Sequence, residues 1–314
     1  MKVWNQSGTI DYKYNRISHV KAIEKAAEII FAMCAFMSVV AVCSITLYMI
    51  ANGVPAVFEL GLKEILFSTT WQPVAKEPSF GILYVILTSI VGTFLAIVIG
   101  VPVGLLTAVF LSEVAPGWLS ALVRPTVDLL AGIPSVIYGV LGMMLLNPYM
   151  YRLEERLFAG SKTHQFTGGA NLLSSSLVLS VMILPTVISI SEAALRAVPQ
   201  ELRVSSLALG ASSVETIFKV TIPAARSGIL SAVVLGVGRA VGEAMAISLV
   251  SGNSVNLPLP FHSVRFLSTA IVSEMGYAGG VHRQVLFTIG LVLFGFIMVV
   301  NGILSSILKG ERKV

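Results

Sequence analysis

The chain has 314 residues, of which 55% are hydrophobic and 12% are charged, and its formal net charge is +5 at pH 7. Soluble domains carry about 25% charged residues, so this composition excludes an ordinary soluble protein and indicates an integral membrane protein. No basic stripe interleaved with aromatic residues suggests a nucleic-acid partner. Cys34 and Cys43 lie in one apolar run, where a thiol behaves as a small hydrophobe, and we expect neither a disulfide nor a metal site.

Six apolar segments are long enough to cross about 30 Å of hydrocarbon as helices. Because lipid offers no hydrogen-bond partners to an exposed backbone, these segments are predicted to be α-helices. They are residues 28–53, 80–112, 119–147, 171–191, 227–250 and 284–308. The predicted fold is therefore an all-α integral membrane bundle with about six transmembrane helices.

Lysine and arginine are concentrated before the first predicted span, between the fourth and fifth, and after the sixth. The positive-inside rule places these three segments in the cytoplasm, together with both termini. The predicted organisation is a cytoplasmic tail at 1–27, a first transmembrane helix at 28–53, an outer loop at 54–79, a core domain at 80–308 and a cytoplasmic tail at 309–314.

Glycine and proline interrupt several predicted spans. They are Gly100 and Pro102 in the second, Gly132 and Pro134 in the third, and Pro185 in the fourth. Each proline removes a helical hydrogen bond, so local bends or unwinding are expected. Such interruptions line pathways in transporters, although membrane helices also tolerate more glycine and proline than soluble ones. The two interpretations weigh equally for the third span, where Ser135 and Tyr138 follow the break.

The fifth predicted span carries two ionisable residues, Arg239 and Glu243, inside its hydrophobic run. Such groups cost at least about 2.5–3.5 kcal/mol each on insertion scales, so they usually mark a substrate or ion path. A guanidinium stays charged and offers a planar fork of donors that fits phosphate oxygens. In an unbroken helix Glu243 shares a face with Arg239 and can pair with it until an anion competes. The alternative is a structural pair that neutralises itself between helices.

Two further polar features have ordinary interpretations. Arg124 and Asp128 form another i,i+4 pair near the start of the third predicted span, where snorkelling or an ion pair between helices is expected. His164 lies in the outer loop at 148–170 and is expected to be solvated. No histidine spacing suits a metal site.

The basic loop at 196–226 is longer than the usual 2–8 residues between bundle helices, so it is expected to serve a partner. Gly210 is a natural stop for a first short helix. The Ser-x-x-Glu spacing of Ser212 and Glu215 predicts a capping box that starts a second helix. Pro223 is predicted to close that second helix.

The segment from Val204 to Pro223 resembles the EAA loop of ABC-importer permeases, E-A-A-x3-G-x9-I-x-L-P, whose two short helices insert into a groove on the ATPase subunit. The matching positions are Gly210 and Pro223, with Val220 and Ile222 as conservative replacements of Ile and Leu. Val204, Ser205 and Ser206 replace Glu-Ala-Ala, so no glutamate contact is transferred to Val204. The docking residues that the resemblance implies are Ser205, Ser206, Leu209, Gly210, Ala211, Glu215 and Pro223.

Residues 238–246, G-R-A-V-G-E-A-M-A, are similar to the G-R-A-[IV]-G-E-x-M-A signature of PstC-type permease subunits of the phosphate ABC importer. Residues 132–139 resemble the third-span motif of the same family, and the similarity extends over nearly the whole chain. The resemblance implies a type I, MetI-like permease bundle that translocates inorganic phosphate. Arg239 and Glu243 would lie on the substrate path, with Ser135 and Tyr138 as further candidates.

The chain lacks a Walker A sequence and any enzyme motif with a catalytic residue. The resemblance also implies partners. They are a PstA-like second permease, a PstB-like ATPase dimer that binds ATP and Mg, and a PstS-like periplasmic or extracellular phosphate-binding protein. The expected location is a bacterial or archaeal cytoplasmic membrane, in contact with lipid. Sulfate or molybdate is an alternative substrate. There are two rival classes. One is a passive channel or ion-coupled carrier, which the loop at 196–226 argues against, and the other is a non-transporting scaffold or sensor.

Overall fold

A computed structural model describes residues 10–311, and most of these are helical. Among the described residues, those up to Ala51 form one compact unit and those from Asn52 onward form a second. The helices are α1 (Ile10–Leu60), α2 (Leu62–Phe67), α3 (Leu83–Val109), α4 (Gly117–Gly132), α5 (Ser135–Leu141), α6 (Asn147–Phe158), α7 (Leu172–Arg196), α8 (Gln200–Ala208), α9 (Ser213–Thr216), α10 (Ile222–Gly242), α11 (Met245–Val250), α12 (Leu267–Glu274) and α13 (Gly280–Glu311). Short π-helical turns at Phe110–Val114, Gly142–Leu146 and Ile217–Thr221 extend α3, join α5 to α6, and join α9 to α10.

Among the described residues, five helices are long and apolar enough to cross a membrane, and a sixth span arises if a strongly bent helix pair counts as one. The five are Glu24–Leu60, Leu83–Val114, Leu172–Arg196, Ser213–Gly242 and Gly280–Ile303. The predicted all-α bundle of about six spans is therefore confirmed.

The bent pair replaces the third predicted span, and its break lies at Ile133 and Pro134. Gly117–Gly132 and Ser135–Phe158 meet there at 97°. Proline disfavours the helical conformation of the residue before it, and Ile133 is accordingly extended, with ψ 128°. The bend predicted at this position is confirmed. The backbone stays helical through Pro102 in α3 and Pro185 in α7.

The centre of the bundle is α7, which packs closely against α3 and α10. A Cβ atom added at Gly100 would lie 2.8 Å from the Ile183 side chain, and one at Gly104 would lie 2.8 Å from Val187. A Cβ at Gly236 of α10 would lie 3.1 Å from the same valine. Small residues thus let three helix backbones approach, as is common where membrane helices pack.

A short hairpin and a buried carboxylate organise the end of the bundle opposite the 196–226 loop. The hairpin pairs Trp71–Gln72 with Ser79–Phe80 in antiparallel register. The indole of Trp71 donates to the Glu274 carboxylate at 3.2 Å, which also pairs with Arg265 and lies 2.7 Å from His282 Nε2.

A second buried carboxylate overturns the expectation for His164. The ring Nε2 atom lies 2.8 Å from Glu154 Oε1, and the side chains are 6% and 0% exposed. The imidazole also stacks on Phe158 with ring centroids 3.9 Å apart. The imidazole of His164 is therefore buried, because Glu154 and an aromatic ring from α6 replace the water that a loop histidine was expected to keep.

Candidate functional site

Arg239 lies in the last turn of α10, where the helix carbonyls favour a positive charge. Its side chain is partly buried. No described residue accepts a hydrogen bond from the Arg239 guanidinium or forms an ion pair with it. A partly buried guanidinium without a protein partner favours binding of an oxyanion, since its fork can reach two oxygens at once.

Tyr138 of α5 lies where the two predicted path segments meet. Its phenol is buried and donates to the Leu130 carbonyl at 2.7 Å, and it lies within electrostatic range of the Arg239 guanidinium. Tyr138 also packs in one apolar cluster with Ala246 and Val250 of α11. The structure therefore brings the helix break before α5 next to the helix break after α10.

Close backbone packing holds these two breaks together. A Cβ atom added at Gly139 would lie 2.7 Å from Ala246 Cα and 2.8 Å from its carbonyl oxygen. Only a glycine allows α5 and α11 this close an approach. Ser135, in the first turn of α5, is partly buried, and no described residue forms a hydrogen bond with its hydroxyl, so its predicted place on the path stays a prediction.

The expected pairing of Glu243 with Arg239 is wrong. It required an unbroken helix, but α10 ends at Gly242 and Glu243 is extended, with φ −75° and ψ 128°. The Glu243 Oε1 atom instead accepts from the backbone N–H of Ala246 at 2.9 Å, and its carbonyl accepts from the Ser268 hydroxyl at 2.6 Å. The carboxylate therefore caps α11, and Arg239 is left without that counter-ion.

The 196–226 loop forms the predicted pair of short helices around a glycine turn. α8 ends just before Gly210, which has φ 89°. The capping box is present, with the Glu215 N–H donating to Ser212 Oγ at 3.2 Å and the Ser212 N–H donating to the Glu215 carboxylate at 3.1 Å. Ser206 and Thr216 hydroxyls lie 2.9 Å apart and tie α8 to α9.

The apolar residues of this loop remain largely exposed. We define the docking surface as Leu202, Val204, Leu207, Leu209, Val214 and Phe218, all exposed. Ser205, Glu215 and Pro223 are also exposed, while Ser206 and Ala211 are partly buried. Such a patch next to a capped turn is typical of a surface that binds another protein.

The prediction that Pro223 closes the second helix is wrong. Pro223 lies in the first turn of α10, directly after the π-helical turn Ile217–Thr221, and the chain stays helical through it. The helical chain runs from Ser213 through the π-helical turn Ile217–Thr221 to Gly242. The docking turn is therefore continuous with the helix that carries Arg239.

Sequence reasoning missed a charge cluster beside the 196–226 loop, which we call the docking loop. Glu192 of α7 pairs with Arg124 of α4 at 2.6 Å and with Arg196 at 3.0 Å. Arg124 thus forms the expected ion pair between helices, but with Glu192. Asp128 accepts from the Ser189 hydroxyl at 3.4 Å. The i,i+4 spacing of Glu192 and Arg196 was visible in the sequence, whereas their closeness to α4 depends on the fold.

Residues 100–310 match the family described as "Binding-protein-dependent transport system inner membrane component". The chain is 38% identical over 300 residues to "Probable ABC transporter permease protein YqgH" of Bacillus subtilis, covering 93% of this chain and 92% of that protein. It is 36% identical to "Phosphate transport system permease protein PstC" of Xylella fastidiosa, covering 81% of each. It is 33% identical to the protein of the same name from Pasteurella multocida, covering 79% of this chain and 80% of that one.

Solved structures share the fold at lower identity. A bacterial ABC transporter involved in the import of the acidic polysaccharide alginate aligns with a TM-score of 0.60 at 16% identity, covering 93% of this chain and 98% of that chain. An inward-facing form of the MetNI methionine ABC transporter aligns with a TM-score of 0.50 at 23% identity, covering 73% and 94%. The fold is that of a type I ABC importer permease. The chain belongs to the binding-protein-dependent transport system inner membrane component family and is a multi-pass inner-membrane permease subunit of an ABC importer, a transport component rather than an enzyme.

Proposed function

We propose that this chain is the permease subunit that translocates inorganic phosphate in an ATP-driven importer. Relatives named as phosphate transport system permeases align over about four fifths of the chain at 33% and 36% identity. The relative with 38% identity carries a name that specifies no substrate. The choice of phosphate therefore depends on the site as well as on the relatives.

The observation that carries the proposal is that Arg239 lies in the last turn of α10, just before the helix break at Glu243. Its guanidinium has Tyr138 within electrostatic range and no described counter-ion. Glu243, bound to the backbone of α11, contributes by fixing the break that ends α10. A phosphate ion crossing here could bind the free fork of Arg239 and leave again, because no second described cation of the site holds it.

The docking surface supports an ATPase partner. Its exposed apolar side chains precede and follow Gly210 in the sequence, and α9 continues into the helix that carries Arg239. We propose that a PstB-like ATPase dimer, which binds ATP and Mg, docks there. A PstA-like second permease would complete the path, a PstS-like binding protein would deliver phosphate from outside, and both termini would be cytoplasmic.

The test is ATP-dependent uptake of labelled phosphate into proteoliposomes that hold this chain with its partner subunits. We expect Arg239→Gln to abolish uptake without loss of assembly, because the amide lacks both the charge and the fork. Arg152→Gln is the matched control, since Arg152 is exposed on α6 and stacks on Tyr149. Uptake that persists in Arg239→Gln would remove Arg239 from the path.

Competition separates phosphate from its alternatives. We expect excess unlabelled phosphate to suppress uptake and equal concentrations of sulfate or molybdate to leave it unchanged. Suppression by sulfate or molybdate alone would reassign the substrate to that oxyanion. A fully assembled complex that hydrolyses ATP and imports none of the three would contradict the proposed substrate class.

A further inference from the structure

We propose that α4 transmits movement of the docking loop to the Arg239 site through a chain of ion pairs. The charge chain consists of Arg203, Glu113, Arg196, Glu192 and Arg124, which are positioning residues because they act through other groups. This inference rests on the ATPase-docking part of the proposed function and is independent of which anion is transported.

The first link joins the docking loop to the end of the second span. Arg203 of α8 pairs with Glu113 at 3.0 Å, and the same terminal nitrogen donates to the Leu195 carbonyl at 2.8 Å. Glu113 lies in the π-helical turn Phe110–Val114, a kind of distortion that is frequent at functional sites. A displacement of α8 therefore pulls on both α7 and this turn.

The second link joins the π-helical turn to α4. Arg196 donates to the carbonyl of Leu111, in the same turn, at 3.3 Å, and to Glu192 Oε1 at 3.0 Å. That carboxylate oxygen also pairs with Arg124 of α4 at 2.6 Å. One carboxylate thus holds two guanidinium groups that come from different helices.

The third link joins α4 to the site. The last turn of α4 carries the Leu130 carbonyl, which accepts from the Tyr138 hydroxyl at 2.7 Å. Tyr138 packs in one apolar cluster with Ala246 of α11, just beyond the break that follows the last turn of α10, where Arg239 lies. α4 is 16 residues long and ends at the 97° bend, so it can move as one rigid segment that has the ion pair at its middle and the site at its carboxyl end.

The charge chain suits force transmission because its carboxylates are shielded from water. The Glu113 and Glu192 side chains are 8% and 9% exposed, and an unpaired buried charge is strongly unfavourable. Movement of α8 then carries its partners along instead of breaking the pairs. By contrast, the Lys219–Glu215 pair in the same loop has side chains that are 75% and 49% exposed, and exposed pairs contribute little.

The test measures movement of α4 directly in the assembled complex in lipid nanodiscs. Cys34 and Cys43 are replaced by serine, and spin labels are placed at the exposed positions Leu129 of α4 and Val181 of α7. The distance between labels is recorded without nucleotide and with ATP trapped by vanadate, and ATP hydrolysis is measured in parallel. Neither readout requires phosphate, so failure of the proposed substrate leaves this test intact.

We expect the complex with the native charge chain to show a shift in label distance on ATP trapping. Glu113→Gln and Glu192→Gln, two isosteric changes at separate links, should each abolish the shift while ATP hydrolysis continues. The double variant with Glu113→Gln and Arg203→Gln should reduce the shift in label distance no further than either single change, because both changes break the same link. Lys219→Gln, the matched control in the same loop, should keep the full shift.

Two results would overturn the inference. One is a full shift in either Glu113→Gln or Glu192→Gln, since an unbroken movement through a broken link shows that the link is not used. The other is an unchanged label distance in a native complex that hydrolyses ATP. Because the two variants lie at different links, the assembly of either one is enough to decide.

Discussion

The Glu243 carboxylate accepts a hydrogen bond from the backbone N–H of Ala246 at 2.9 Å, across the break between α10 and α11. The bond satisfies one of the backbone donors that a helix start leaves without a partner. It also withdraws the nearest carboxylate along the chain from Arg239. A single side chain therefore both begins a helix and leaves a cation available beside Tyr138.

Loss of this cap is expected to destabilise the protein. Removal of a capping side chain costs about 0.5–2 kcal/mol, so Glu243→Ala should melt below the native protein in detergent. Glu243→Gln keeps an oxygen that accepts from Ala246 and should melt close to native. Equal melting temperatures for the two variants would show that the capping bond contributes nothing.

The contact between Gly139 and Ala246 gives a second prediction. A methyl group at Gly139 would meet the backbone of α11 at 2.7 Å, and overpacking of this kind costs about 1–3 kcal/mol. We expect Gly139→Ala to lower the melting temperature and to reduce uptake, because α5 and α11 must separate. Gly132→Ala is the control, since a methyl group there meets nothing within 4 Å. Similar losses in both variants would contradict a role for close packing.

Local signals made much of this fold predictable. Apolar length fixed the number of spans, the proline at 134 fixed the bend, and the Ser212–Glu215 spacing fixed the start of α9. The end of α10 at Gly242 was not predictable, because the residues around it are compatible with helix. That break depends on the Glu243 cap and on packing of α11 against Gly139, which only the folded chain supplies.

The buried partner of His164 was unpredictable for a related reason. Glu154 and His164 are ten residues apart and belong to a helix and a loop without a shared period. The charge chain was unpredictable for the same reason, since Arg203 and Glu113 are brought together only by the packing of α8 against the end of the second span. Sequence patterns indicate what each segment forms, and such pairs depend on how the segments meet.

Glu154 is expected to hold the loop that follows α6. Its carboxylate accepts from the Thr167 N–H and hydroxyl, both at 2.9 Å, as well as contacting His164. Glu154→Ala leaves a backbone donor unpaired, which costs about 1–3 kcal/mol when buried. We expect faster amide hydrogen exchange in residues 160–170. Glu155→Ala, at the exposed neighbouring position, should leave exchange unchanged, and equal acceleration in both would refute the anchoring role.

Gly210 is expected to be required for the shape of the docking turn. Its φ of 89° lies in the left-handed region, where a side chain costs about 1–2 kcal/mol. Steric contact with other residues does not exclude a side chain at this position, because a Cβ atom there meets nothing within 4 Å. We expect Gly210→Ala to reduce co-purification of the ATPase while the bundle stays folded. Gly117→Ala, at an open position without positive φ, should retain the ATPase, and retention by both would contradict the prediction.

Leu209 separates a role in docking from a role in folding. Leu209 and Val74 are both 89% exposed, so neither side chain contributes much to the stability of the isolated chain. Leu209 lies beside Gly210 on the docking surface, whereas Val74 lies in the loop of the hairpin at the other end of the bundle. Burial of a leucine side chain contributes about 1.5–3 kcal/mol, so Leu209→Ser should weaken ATPase binding about tenfold or more at an unchanged melting temperature. Val74→Ser should change neither quantity, and equal ATPase affinity for both variants would show that the ATPase binds elsewhere.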